Sequence, residues 1–311
     1  MELMNIPHDS TKENIVLSPL ADPVVAAIFE SAEVAGKAAC SLIRVVLSEG
    51  KMNVNLGEVV TVTPQRVYTE PRIRGCRVDV EVVTANNEIV VVEVQLYRDK
   101  SIFQRNLFAA SKIFARAALP GTSSDEMAER LPRVIVINIL TDNIREDNTD
   151  IVQPLNMMYT KAPHRVAMNE LTIYNIQLAR YKGIEPDLNN PLHCWFYPLY
   201  RAHSEGITLK EVIEMTPLLQ AYAAQDEGFR QFCERYGRVS EDPKARDDYY
   251  WWINAMWREQ GERDAAFEDG AKNKQLEFAA RLLKRKRPIE EIIEDTGLTR
   301  DELDALRLTN I

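Results

Sequence analysis

Arg77-Val78-Asp79-Val80-Glu81-Val82-Val83 and, after a turn around Asn86-Asn87, Glu88-Ile89-Val90-Val91-Val92-Glu93-Val94-Gln95-Leu96 decide how this chain folds. Both segments are rich in β-branched residues, and each reads as a strand. Val78, Val80 and Val82 share one face of the first, and Val90, Val92, Val94 and Leu96 share one face of the second. Burying those faces together requires opposed residue numbers with an even sum. A three-residue turn, Ala85 to Asn87, meets that condition with a sum of 172, and a two-residue turn does not. The spacing predicts Val78 opposite Val94, Val80 opposite Val92, Val82 opposite Val90, and Asp79 directly opposite Glu93.

Two carboxylates opposed across a ladder repel by a few tenths to about 1 kcal/mol. A hard divalent cation relieves this: Mg²⁺ takes one or two protein carboxylates and fills its other positions with waters and phosphate oxygens. Gln95 lies two residues beyond Glu93, so Asp79, Glu93 and Gln95 form one polar cluster backed by a hydrophobic sheet face. The bland alternative is that the two acids decorate the wet face of an antiparallel hairpin.

Beyond the second strand Arg98, Arg105, Lys112 and Arg116 recur at intervals of 7, 7 and 4 with no acidic residue among them, one basic stripe of a helix over Ser101 to Ala118. Phe103, Leu107, Ala110, Phe114 and Ala117 form the expected apolar stripe. A basic helix face beside a carboxylate pair suits contacts to a phosphate backbone. The alternative is the solvated side of an amphipathic helix.

Further out, Asp22 and Pro23 read as an N-cap and the first residue of a helix, and Val34 to Val46 as a second helix. Arg133 to Leu140 and Leu171 to Leu178 add strands. The organisation expected is a flexible arm over 1–20, an α/β (α+β) domain with a mixed sheet over 21–183, a helical region over 184–269, and a C-terminal helical hairpin over 270–311. In the hairpin, Asp301, Glu302 and Asp304 suit a phosphate-lined groove poorly. Packing or homo-oligomer formation through Ile289, Ile292, Ile293, Leu298, Leu303 and Leu306 is the favoured expectation.

The 311 residues carry 38 Lys+Arg against 47 Asp+Glu, a net charge of −9, which argues against nonspecific coating of nucleic acid and leaves only local basic stripes for that purpose. Four scattered cysteines and four histidines without short spacing argue against a disulfide scaffold or a zinc site. No apolar run approaches a membrane span, and the start lacks a basic, apolar leader, so a cytoplasmic protein with no membrane partner is expected. Phosphate-binding glycine motifs are missing as well.

Asp79, thirteen intervening residues, Glu93-Val94-Gln95 and a helix carrying Arg105 and Ser111-Lys112 together resemble the PD-(D/E)XK nuclease superfamily, and within it the Rpn family of recombination-promoting nucleases and transposases. Asp22 to Phe29, Pro132 to Leu140, Leu171 to Tyr181 and Ile289 to Leu306 match in order. The resemblance implies a restriction-endonuclease-like core and Mg²⁺-dependent hydrolysis of DNA phosphodiesters, with Mn²⁺ as a substitute. Asp79 and Glu93 would ligate the metal, and Gln95 would occupy the superfamily's lysine position. Arg98, Arg105, Lys112 and Arg116 would bind substrate phosphates, and Glu33 would be an additional acid from the first helices. Gln95 cannot titrate, so it can orient a water but cannot act as a general base. The chain departs from its relatives at Asn106-Leu107-Phe108-Ala109, which lacks an aromatic at 109, and at Val25-Ala26. A catalytically silent nucleic-acid- or protein-binding module with the same fold is the competing expectation.

Overall fold

The computed structural model describes residues 15–49, 56–70, 73–97, 101–117, 121, 123–144 and 149–309. It divides into two compact units, Met1–Tyr250 and Trp251–Ile311. In the first, α1 (Asp22–Ile28) and α2 (Ala32–Glu49) precede the strands β1 (Val59–Glu70), β2 (Ile73–Thr84) and β3 (Glu88–Gln95). Next come α3 (Ile102–Ala117), α4 (Ser124–Arg130), β4 (Arg133–Leu140), β5 (Val152–Tyr159) and β6 (Ala162–Gln177). The six strands form one mixed sheet in the order β1-β2-β3-β4-β6-β5. β3, β4 and β6 run parallel at its centre, and β1, β2 and β5 join antiparallel.

Strand parity predicts the register of the part of the ladder near the turn, but the expected pairs Val78–Val94 and Asp79–Glu93 are not among those formed, and Val78 packs in one cluster with Val91. Val80 pairs with Val92, Glu81 with Val91, Val82 with Val90 and Val83 with Ile89. The turn is made by Asn87 at φ 62°, a left-handed conformation that asparagine tolerates. A central parallel sheet is covered on both faces, and Val134, Ile135, Val136 and Ile137 are all fully buried accordingly. One face packs Val91, Val134, Val136 and Leu171 under Ala109, Ala110 and Ile113 of α3. Glu93, two residues beyond Val91 on that face, is therefore on the floor beneath a helix, and the wet-hairpin expectation does not describe it.

Three further expectations are corrected. Ile15, Leu17 and Leu20, assigned to a flexible arm, are 1–2% exposed, and residues 1–14 lie outside the described residues. α3 is rotated from the expected setting: Phe103 and Leu107 point outward, while Ile102, Asn106, Ala109, Ala110, Lys112 and Ile113 are buried. Small alanines let the helix approach the valine-covered sheet, so the bulky residues go to the outside. The hairpin β5–β6 extends the sheet before Leu171, where the sequence pattern gives no strand, because Pro154 and the exposed Met157, Met158 and Tyr159 break any alternation.

The helices α5 (Pro191–Glu205), α6 (Leu209–Glu214), α7 (Pro217–Gln225) and α8 (Glu227–Glu241) belong to the same unit. Trp195 stacks on Phe229 and Phe232 at 5.1 and 5.3 Å, and its indole N–H donates to Ser41 of α2 at 3.1 Å. Tyr236 O–H donates to the Leu17 carbonyl at 2.6 Å. The unit boundary falls within α9 (Pro243–Lys284). In the second unit the end of α9 packs with α10 (Ile289–Thr296) and α11 (Arg300–Thr309) around Ala279, Leu282, Ile292, Leu298 and Leu303. Ile289, Ile293 and Leu306 join that cluster. Of the two expectations for this face, packing or self-association, the packing within the chain against the end of α9 is the one seen.

Candidate active site

β2 and β3 carry Asp79 and Glu93 to one end of their antiparallel ladder. Its regular pairing extends to Val80 and Val92, and beyond it the Asp79 side chain takes over: Oδ2 accepts the Val94 backbone N–H at 2.8 Å. Glu93 is mostly buried, with a side chain 14% exposed, and lines a cavity of about 710 Å³ with Arg74, Arg77, Arg105, Asn106 and Phe108. Arg105 of α3 donates from Nη1 to Gln95 Oε1 at 3.0 Å, and its Nη2 lies 3.8 Å from Glu93 Oε2. The guanidinium is half-exposed, so it borders Glu93 without closing the cavity.

Both carboxyls are held well above the usual carboxylate range. Burial pushes Asp79 up to about 6, against the opposing Val94 N–H bond, with Asp22 adding to the rise. Burial, then the Asp79 charge, push Glu93 up to about 8, with Arg105 opposing. A paired acid site with this bias is short of positive charge.

The third acid is Asp22. It begins α1 without capping it, since Ala21 is the N-cap and no side-chain cap bond forms. Its Oδ2 lies 3.9 Å from Arg77 Nη2, and its own carboxyl is raised, chiefly by burial. Asp22 acts on both Asp79 and Glu93. Glu33, the acid expected in that role, sits exposed on α2 and is not among the groups that shift either carboxyl.

The basic stripe separates into distinct environments. Arg105 reaches the carboxylate pair. Lys112 is buried, with Nζ 5.6 Å from the Phe108 ring centroid, so the expectation that it meets substrate on an open helix face is not met. Arg116 is exposed at the far end of α3, 5.4 Å over the Tyr68 ring. Arg98 lies outside the described residues.

Asn138 is a site residue that the sequence reading misses. It pairs in register with Glu93, and on its other side with Asn175, so the three share one face across β3, β4 and β6. Asn138 and Asn175 are fully buried, and Asn138 Nδ2 donates to Asn175 Oδ1 at 2.7 Å. A polar residue within the apolar run Val134 to Leu140 is the one sequence signal that marks it.

Adjacent strands of the mixed sheet carry the two carboxylates, and α3 brings Arg105 beside Glu93. Residues 27–264 match the family described as PD-(D/E)XK nuclease family transposase, and the chain belongs to that family. Comparison with curated proteins and with solved structures finds no match. No helix of the described residues is long and apolar enough to cross a membrane.

Among the described residues no group of three or more His, Cys, Asp or Glu side chains stands close enough to hold a metal ion. The fit for a metal therefore rests on two carboxylates. An all-oxygen pair with raised pKa values, with Glu93 open to a cavity, suits a hard divalent cation that keeps part of its water shell.

Proposed function

We propose that the protein is a divalent-metal-dependent endonuclease that hydrolyses DNA phosphodiesters, with Asp79 and Glu93 as ligands of Mg²⁺ or Mn²⁺. The observation that carries this reading is the pair of charge-deficient carboxyls, Asp79 and Glu93, of which Glu93 lines a 710 Å³ cavity bordered by three arginines. When bound, the cation supplies Lewis-acid stabilisation of a phosphoryl oxygen and acidifies an attacking water. The chain's own residues do the rest. The Val94 N–H fixes the Asp79 carboxylate through Oδ2. Arg105, half-exposed, orients a phosphate through its guanidinium fork. Gln95 presents a neutral amide whose oxygen Arg105 already engages, so it orients but does not take a proton. Asp22 takes the place proposed from sequence for Glu33 as the additional acid, at longer range.

One observation favours a second reading: Arg105 partly neutralises Glu93 and occupies Gln95, as a silent binding module that has lost its metal would have it. Two measurements decide. Purified protein with Mg²⁺ or Mn²⁺ nicks supercoiled plasmid, and Asp79→Ala abolishes nicking. Cleavage that survives Asp79→Ala removes the nuclease reading, and absence of any Glu93-dependent stabilisation by Mn²⁺ supports the silent module.

A further inference from the structure

A second cavity, of about 520 Å³, opens at the other end of α3. Arg66 of β1, Arg116 of α3 and Arg130 of α4 line it together with Thr61 and Thr63. Its lining holds one acid, Glu81, which is buried and already engaged: it accepts the Tyr68 hydroxyl and lies 3.5 Å from Arg66 Nε. Burial raises the Glu81 carboxyl, which weakens it further as a counter-charge. Arg66 Nε is buried and donates no hydrogen bond. The Tyr68 ring lies under two of the guanidiniums, 6.0 Å from Arg66 and 5.4 Å from Arg116. Three guanidiniums thus converge on one cavity with a single weak carboxyl, in a chain whose net charge is −9.

Guanidinium forks match phosphate oxygens, and threonine hydroxyls are ordinary donors to a nucleic-acid backbone. Arg116 follows Arg105 by eleven residues, three turns and about 20°, so both lie on the same side of α3, about 16 Å apart. At about 3.4 Å per nucleotide of a stacked strand, that distance spans about five nucleotides.

We infer that the Arg66–Arg116–Arg130 cavity is a second phosphate site, which holds the backbone of a DNA strand about five nucleotides from the point where the same strand meets Asp79 and Glu93. The inference rests on the proposed nuclease reading for the direction of that strand. It makes substrate length, rather than base sequence, the quantity the protein measures at this cavity.

The test is fluorescence anisotropy with the full-length protein in EDTA, using labelled oligothymidylates of four, eight and sixteen nucleotides. The wild type shows a step of about tenfold in affinity between four and eight nucleotides. Arg66→Gln/Arg130→Gln removes the step, leaves the four-nucleotide probe within about twofold, and lowers the salt slope for the longer probes by about 1, the contribution of one or two phosphate contacts. Arg130→Gln alone shows part of the loss. Arg130 is exposed, and its backbone carbonyl, which accepts from Asn87, survives the substitution, so this variant leaves the fold intact. A wild type without a step, a double variant that keeps it, or an equal loss at all lengths overturns the inference. So does Arg66- and Arg130-dependent binding of inorganic phosphate with no length step, which assigns the cavity to a free anion. Failure of the nuclease reading shows separately, as plasmid cleavage indifferent to Asp79→Ala.

Discussion

Asp79 Oδ2 receives the backbone N–H of Val94, the residue that follows Glu93, so the two acids are tied through one hydrogen bond of 2.8 Å while their charges repel. The bond orients Asp79 and lowers its pKa, but burial outweighs it and the carboxyl remains raised. The pair is consequently a destabilising element of the metal-free fold, held in place by the sheet around it.

That destabilisation has a pH signature. Glu93 has a folded-state pKa above its unfolded value, so its contribution to stability is full below about pH 4.5 and is lost as pH rises through about 8. Glu93→Gln, which cannot ionise, is expected to exceed the wild type by about 1–2 kcal/mol at pH 8, or a few degrees in Tm, with the gap closing by pH 5. Thermal melts by circular dichroism in EDTA from pH 5 to 8.5 measure the difference. A gap of the same size at both ends contradicts a raised Glu93.

Cation binding should run the opposite way, because a metal competes with the protons on both carboxyls. Mn²⁺ affinity is expected to climb between about pH 6 and 8, with protons released on binding. Calorimetry in two buffers of different ionisation enthalpy counts those protons. Glu93→Ala should abolish binding, and Glu33→Ala should leave it unchanged.

Arg105 is the group that most directly favours the ionised form of Glu93. Arg105→Gln therefore raises Glu93 further and moves the Mn²⁺-binding midpoint to higher pH, while Arg105→Lys keeps the charge, loses the fork to Gln95, and restores the midpoint in part. If cleavage is measured as well, the Gln variant is expected to lose about 10- to 100-fold. An unshifted midpoint in the Gln variant means that the guanidinium does not act on Glu93.

The register near the hairpin turn was legible because side chains alternate along a strand, so the parity of opposed numbers follows from which faces are apolar. The end that carries Asp79 was not, because regular pairing stops at Val80 and Val92 and the Asp79 side chain takes the Val94 N–H. The burial of the other face was not legible from the hairpin alone, since it depends on a helix that comes later in the chain. α3 carries apolar residues around much of its circumference. Which stripe turns inward is set by close approach to the valine-covered sheet, where Ala109 and Ala110 pack and Phe103 and Leu107 stay exposed. Asp before Pro is a strong helix-start signal, so the sequence reads Asp22 as the cap. The structure uses Ala21 as the cap and leaves the Asp22 carboxyl to act on the acid pair. Asn138 and Asn175 became visible only when parallel pairing aligned them with Glu93.

The Asn138–Asn175 pair lends itself to a double-mutant cycle. Asn138→Ala leaves the buried Asn175 amide without its partner and is expected to cost about 2–4 kcal/mol from the lost bond and the cavity together. Asn138→Leu/Asn175→Leu removes both polar groups and should recover much of that loss. Urea denaturation of the two single variants and the double variant gives the coupling. If the double variant is as unstable as the sum of the singles, the pair is not an isolated polar bond but part of a wider network around Glu93.

Gly228 sets two physical rules against each other. It lies in the first turn of α8, where helix propensity alone favours alanine over glycine by about 1 kcal/mol. A Cβ there would collide with the Lys37 carbonyl oxygen and stand 2.5 Å from Ser41 Cβ, both on α2. Those contacts are with helix backbone and a Cβ, which cannot swing aside, so packing should win. The same contact region holds the Ser41 hydroxyl that donates to Asp226 at 2.7 Å and receives the Trp195 indole N–H. Gly228→Ala is expected to destabilise the protein by about 2–3 kcal/mol net, read as a lower urea midpoint. Gly237→Ala, in the same helix with no atom in the way of a Cβ, should instead be neutral or slightly stabilising. Equal effects at the two positions would mean that α8 does not approach α2 as closely as the Gly228 contacts require.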